Sequence, residues 1–287
     1  MQKIYFFLPL LFLLTACGKN NPDPSWLQIN AWTLNANPNY GGAEGSLNHN
    51  ISEAWVYVND EVMGVFQLPC KIPILKAGTF NIKVMPAIRN NGIASTKKIY
   101  PFLDIYEITG TLVQNQTLVL FPFTKYKDNI SFTIEDFEDI NSSLIPDPNT
   151  SATNYQLSNT NLEWFNGNYY AKINLNAVDS TWVAYTNWTS FIVKGKDAYL
   201  EVDYHTTNKI VTELIEISPS GTVPRINYGM NAQDPSTVTW KKIYIDLKEL
   251  IAASASGAYF EQGFIATLDS GKTNTQILID NIKLVHF

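Results

Sequence analysis

The sequence predicts an all-β protein, an immunoglobulin-like sandwich followed by a jelly-roll β-sandwich. Two observations carry the all-β class. From Trp26 to the C-terminus the chain breaks into short runs rich in Val, Ile, Thr, Tyr, Phe and Trp, separated by Asn, Asp, Gly and Pro. In addition, no amphipathic helix of useful length interrupts them, and charged residues make up only 16% of the chain. Neutral polar side chains suit the outward positions of antiparallel sheets.

The candidate strands of the first half are Trp26 to Leu34, Ala54 to Val58, Val62 to Gln67, Thr79 to Val84, Lys97 to Phe102 and Thr117 to Phe123. Asn59-Asp60, Lys76-Ala77-Gly78 and Asn90-Asn91-Gly92 lie between them, residues that accept the positive φ of tight hairpins. A second set of strands follows Asn129. It comprises Tyr169 to Leu175, Thr181 to Thr186, Tyr199 to His205, Val211 to Ile217, Val238 to Asp246, Gly263 to Leu268 and Gln276 to Val285. In Tyr199 to His205, Leu200, Val202 and Tyr204 fall on one side and the mostly polar set on the other, which predicts a half-buried sheet. Lys248 to Ala253 reads as one helical turn.

The first residues are of another kind. Lys3 precedes an apolar run from Ile4 to Leu14 broken only by Pro9, and Thr15-Ala16-Cys17 follows. A positive n-region, an apolar stretch too short for a permanent span of a roughly 30 Å hydrocarbon layer, and small residues before the cut describe a secretory signal. Leu14-Thr15-Ala16-Cys17 resembles the lipobox of bacterial, Bacteroidota-type lipoproteins. That resemblance implies a thioether-linked lipid on Cys17, palmitate included, and a protein tethered to the cell envelope at the outer membrane. Lys19 and the distant Asp23 choose neither the periplasmic nor the surface face.

The organisation read from the chain is therefore a signal peptide at 1–16, a lipidated cysteine with a Pro-containing tether at 17–25, a first sandwich at 26–126 and a second at 127–287. Loss of residues 1–16 removes one Lys and no acid, moving the formal charge from −6 to −7. Such a balance argues against a nucleic-acid partner, whose phosphates call for a basic face. With Cys17 lipidated, Cys70 lacks an intrachain partner and reads as a small buried hydrophobe.

Two further resemblances refine the halves. Ala54 to Phe66, then Leu68-Pro69, Ile72-Pro73-Ile74-Leu75, Ala77-Gly78 and Phe80 to Val84 resemble PEGA-type envelope domains, which implies an accessory β-domain without a reaction. Phe137-Glu138-Asp139, Thr239 to Leu247 and Ile279 to Val285 resemble the galactose-binding-like jelly rolls that include many carbohydrate-binding modules. In that family a Glu of the first strand and an Asp of the last help to hold a structural calcium. The resemblance places those roles on Glu138 and Asp280, while no cofactor is required.

The chemistry on view is sparse. Glu135, Asp136, Glu138 and Asp139 form the dense acidic run, and a glycoside hydrolase would draw its carboxyl pair from there, with Glu135 or Glu138 as its acid. Neighbours on a strand point to opposite faces, so at most alternate members share a site. Gly-x-Ser-x-Gly, a phosphate loop and His-Glu-x-x-His are all absent from the sequence, and His49, His205 and His286 are far apart. Aromatic side chains stack on sugar rings, and Trp164 beside Asn166-Gly167 together with Tyr169 is the candidate stacking pair. Arg225 is the candidate group for orienting a ligand. The expected function is a non-catalytic, membrane-anchored envelope protein binding a glycan or protein partner through its second sandwich. The alternatives are a polysaccharide hydrolase and a structural subunit of an envelope assembly.

Overall fold

The computed structural model describes residues 23–139, 141–159 and 167–287. Cys17 and Trp164 lie outside the described residues. Among those described, no helix is long and apolar enough to cross a membrane.

The first sandwich is built from β1 (Ser25–Ile29), β2 (Thr33–Leu34), β3 (Glu53–Val58), β4 (Glu61–Gln67), β5 (Cys70–Ile74), β6 (Gly78–Arg89), β7 (Lys97–Ile99), β8 (Tyr106–Leu112), β9 (Thr117–Leu120) and β10 (Phe123–Thr124). One sheet runs β5-β1-β9, with β1 antiparallel to β5 and parallel to β9. Another runs β4-β3-β6-β7, and β8 joins the opposite end of β6 on the β7 side. Period-two alternation sends Leu27, Ile29, Val56, Val58, Ile82 and Val84 into the space between them. Asn59 and Asp60 both take positive φ, the condition for the tight turn that joins β3 to β4.

The second sandwich contains β11 (Ser131–Glu135), β12 (Leu144–Pro146), β13 (Tyr155–Ser158), β14 (Tyr170–Asn176), β15 (Thr181–Thr186), β16 (Ser190–Phe191), β17 (Ala198–Thr206), β18 (Ile210–Ser218), β19 (Gly221–Met230), β20 (Lys241–Asp246), α1 (Lys248–Ala252), β21 (Tyr259–Thr267) and β22 (Asn274–His286). Its inner sheet runs β13-β14-β22-β17-β20 with β11 on β22, and its outer sheet runs β12-β15-β21-β18-β19 with β16 on β21. Trp182, Leu200, Val202, Leu214, Phe264 and Ile279 fill the layer between the two sheets. At Asn281 the chain takes φ +46, and the β17–β22 register shifts between Glu201 and Asp203. This irregularity marks where β22 leaves β14 and begins to pair with β11.

The all-β reading stands, but one part of it needs correction. Leu200 and Val202 do face the core, yet Tyr199, Glu201 and Asp203 on the opposite side of β17 are also buried. The first sandwich covers that face: Tyr199, Tyr244 and Val285 belong to the same apolar cluster as Leu27, Tyr100 and Phe102. The Asn90-Asn91-Gly92 turn extends onto the edge of β20. There Asn91 N–H donates to the Tyr244 carbonyl at 2.8 Å, and Asp246 N–H donates to Asn91 Oδ1 at 2.8 Å. A half-solvated sheet is what a lone sandwich would have shown.

Candidate functional site

With the inner sheet sealed, the outward side of the outer sheet is the broad face of the second sandwich left for a ligand. Its centre is Gly263 on β21, whose register partners are Tyr185 on β15 and Glu213 on β18. A Cβ built on Gly263 would lie 3.0 Å from the Tyr185 ring and 3.2 Å from Glu213 Cβ. The missing side chain thus lets Tyr185 lie across β21 against the root of Glu213. Glu261, two residues before Gly263, projects from the same side by strand alternation. It is a diagonal neighbour of Glu213, a relationship that spaces Cβ atoms by about 7 Å. Ile145, the register partner of Tyr185 on β12, is exposed at one margin, and Ile226, the partner of Glu213 on β19, is exposed at the other.

Glu213 is only 7% exposed, and Glu261 is half-buried. Neither carboxyl has a hydrogen-bond or ion-pair partner among the described residues. Burial raises both above the ordinary carboxylate range. Burial, followed by the charges of Glu213 and Asp147, also raises the Tyr185 hydroxyl. The face therefore offers an aromatic ring flanked by two partly desolvated carboxyls that lack partners among the described residues, groups able to stack on a sugar ring and hydrogen-bond its hydroxyls.

The residues singled out from the sequence are placed differently. Arg225 Nε donates to Glu216 Oε2 at 2.7 Å and one terminal nitrogen donates to the same oxygen, which ties the guanidinium to its neighbour strand within the β18–β19 pair. Tyr169 is 39% exposed, and its backbone N–H donates to Glu138 at 2.9 Å. Glu138 also accepts from the Asn168 N–H and from Asn168 Nδ2. Partial burial raises Glu138, but these donors outweigh it and hold the carboxyl below its usual range. Glu135 accepts from Phe137 N–H at 2.7 Å, Ser142 Oγ at 3.0 Å and Ser143 N–H, and so serves to fix its own loop.

Asp136, Glu138, Gly167 and Asn281 line a cleft of about 760 Å³ with Ser46 to His49 of the first sandwich. Asp280 is buried, with Asn281 N–H and Nδ2 each donating to it at 2.8 Å. Burial, augmented by nearby Asp203, pushes Asp280 up to about 9 although the Asn281 N–H opposes the shift. The two carboxyls implied for calcium do not fit a calcium site as arranged. Both are engaged by donors of the chain, and no group of three or more His, Cys, Asp or Glu suited to a metal forms among the described residues.

Sequence reasoning missed Glu213 and Glu261 because isolated acids in apolar strands carry no motif. The available signal was alternation: in Val211, Glu213, Ile215 and Ile217 a single acid interrupts an otherwise apolar side.

No known protein family matches the chain, and no curated protein does. Among solved structures, it is similar to a carbohydrate-binding module specific for non-crystalline cellulose, CBM28. The identity is 12%, over 52% of this chain and 90% of that one, with a TM-score of 0.38. It is similar to a family 29 carbohydrate-binding module at 16% identity, over 55% of this chain and 88% of that one, with a TM-score of 0.35. It is also similar to the CBM22-1–GH10 modules of a Clostridium thermocellum xylanase at 13% identity, over 54% of this chain and 28% of that one, with a TM-score of 0.38. These are likenesses of β-sandwich shape.

Proposed function

We propose that this chain is a non-catalytic cell-envelope lipoprotein, anchored through lipid on Cys17, that binds a glycan on the outward face of the β12-β15-β21-β18-β19 sheet. The observation that carries the reading is Tyr185 lying across Gly263 beside Glu213, with Glu261 on the same face and both carboxyls without partners. Carboxyl oxygens that no group of the chain engages are open to the hydroxyls of a ligand.

Binding fits this pair better than hydrolysis does. A glycosidase needs one carboxyl held protonated and another held ionised. Here the same cause, burial, pushes Glu213 and Glu261 in the same direction, and neither has a cation beside it to split their roles.

A glycan array probed with the mature chain, followed by calorimetry on each positive, tests the reading. Retention of a glycan that falls at least tenfold in Tyr185→Ala and in Glu213→Gln, with no turnover of that glycan, is the expected result. Silence of the folded wild-type chain, or binding indifferent to both substitutions, overturns it.

A further inference from the structure

A second recognition site lies where the two sandwiches meet. A cleft of about 620 Å³ opens there, within the size range of small-ligand pockets, which favour domain junctions. Arg89 and Asn50 of the first sandwich line one side, and Tyr204, Asn231 and Lys241 of the second line the other. We infer that this cleft binds an acidic saccharide unit, a sugar carrying a carboxylate or sulfate group.

The argument rests on charge. Glu53, fully buried, meets Arg89 Nε at 2.9 Å and Lys97 Nζ at 2.9 Å, so two cations face one carboxylate. The terminal nitrogens of Arg89 have no partner among the described residues, and Lys241 is exposed and likewise unpaired there. Lys242 adds no free charge, because its buried ammonium lies 3.1 Å from Asp203 and 3.7 Å from Glu201. The opposing charge at the margin is Asp234, whose carboxylate accepts from Ser236 N–H at 2.8 Å and Ser236 Oγ at 2.7 Å. At the cleft surface the unpaired Lys241 ammonium and the terminal nitrogens of Arg89 stand opposite the single Asp234 carboxylate, in a chain of formal charge −6. An anionic group is what such a field concentrates, and the fork of Arg89 suits a planar carboxylate or a sulfate.

The rest of the lining argues for a sugar bearing that group. The Tyr204 hydroxyl, half-buried, has no partner among the described residues, and the Asn231 side chain is exposed beside it. Both can hydrogen-bond ring hydroxyls. The two walls are held in place before any ligand arrives. Asn50 N–H donates to the Tyr244 hydroxyl at 2.9 Å, Asn50 Nδ2 donates to the Lys242 carbonyl at 3.1 Å, and the Asn91 contacts clamp the same edge of β20 further along. Such preorganisation reduces the ordering cost of binding.

The test is titration calorimetry on the full mature chain with three probes: galacturonate trimer, a sulfated chondroitin disaccharide and maltotriose as the neutral control. At least one acidic probe is expected to bind while maltotriose does not bind at this cleft. Its affinity is expected to fall at least tenfold in Lys241→Glu and several-fold in Tyr204→Phe, and to weaken in 0.5 M salt. Lys241 is exposed and unpaired, so its substitution leaves the fold intact, which the thermal midpoint checks. Tyr185→Ala leaves this binding unchanged, separating it from the sheet-face reading. The inference is overturned if neither acidic probe binds the folded chain at millimolar concentration, or if binding ignores Lys241→Glu. Inorganic sulfate binding as tightly as the sulfated disaccharide would also overturn it, since the sugar would then contribute nothing.

Discussion

Across the junction of the two sandwiches, the hydroxyl of Tyr100 donates to the carboxylate of Glu201 at 2.6 Å, with both side chains removed from water. Tyr126 donates to the same oxygen at 2.9 Å, and the Lys242 ammonium stands 3.7 Å from the other one. Burial, and then the charge of Glu201, raise both tyrosine hydroxyls far above their ordinary value, so they remain donors across the working pH range. Tyr100→Phe removes one of two donors and is expected to cost about 1–2 kcal/mol. Tyr100→Phe with Tyr126→Phe strips that oxygen of both, and the pair is expected to cost more than the two single changes added together. Urea unfolding of the four proteins measures this coupling, and strict additivity would refute a shared acceptor.

Asp280 and Lys283 lie three residues apart on β22, and burial shifts the one up and the other down. Burial pushes the Asp280 carboxyl up to about 9, whereas an unfolded aspartate titrates near 3.8. Between those values the folded chain holds a proton that the unfolded chain has released, so stability falls as pH rises. The contribution is fully present below about 4, declines by at most about 1.4 kcal/mol per pH unit, and is lost above about 9. Burial lowers Lys283 to about 8, from an ordinary value of 10.5, so its effect has the opposite sign: stability is gained as pH rises from about 8 to 10.5. Asp280→Asn is expected to flatten the stability profile between pH 5 and pH 8, where Lys283 is silent. Equal slopes for the two proteins in urea titrations over that window would contradict the assignment.

Much of this architecture can be read from residue pattern, and the part that cannot has a physical reason. Thr181–Thr186 is a strand as expected, and the helical turn expected at Lys248 to Ala253 forms at Lys248–Ala252. Asn90-Asn91-Gly92 turns as its composition requires, with φ of +56 at Asn91 and +71 at Gly92. By contrast, β8 escapes the pattern because Gly110 interrupts its apolar side, and an added Cβ there would lie 2.8 Å from Leu118. Pro224 and Arg225 disguise β19, an edge strand where proline is tolerated. The burial of Glu201 and Asp203 is illegible because their partners, Tyr100 and Lys242, are remote in sequence. The sheet-face site is hidden for a related reason: Tyr185, Glu213 and Gly263 become neighbours only through strand register.

Gly263 gives a direct handle on that face. An alanine there would place its methyl group 3.0 Å from the Tyr185 ring, tighter than ordinary packing allows, and would meet Glu213 Cβ at 3.2 Å. The ring is half-buried at the surface and can move outward. Gly263→Ala is therefore expected to cost less than about 1–3 kcal/mol, the range for overpacking a closed core. Glycan affinity on this face is expected to drop at least fivefold, because the ring no longer lies flat beside the carboxyls. Calorimetry against the glycan retained by the wild type, with thermal unfolding in parallel, separates the two effects. Unchanged affinity together with unchanged stability would mean that the ring does not depend on the gap above β21.

The anchor yields a prediction that needs neither ligand. If Cys17 carries the lipid, each buried methylene contributes about 0.8 kcal/mol, and several acyl chains hold the mature chain on a membrane essentially permanently. Cys17→Ser supplies no sulfur for the thioether, so the expected product keeps its leader and incorporates no labelled palmitate. The strands from Ser25 onward are remote from the substitution in sequence and should fold as before. Consequently, a form beginning at Asn20 is expected to be soluble and to show the same thermal midpoint as detergent-extracted wild type. Intact mass of the wild-type protein decides the matter: an N-terminal cysteine bearing diacylglycerol supports the anchor, and a free thiol at that position, or palmitate labelling that persists in Cys17→Ser, removes it.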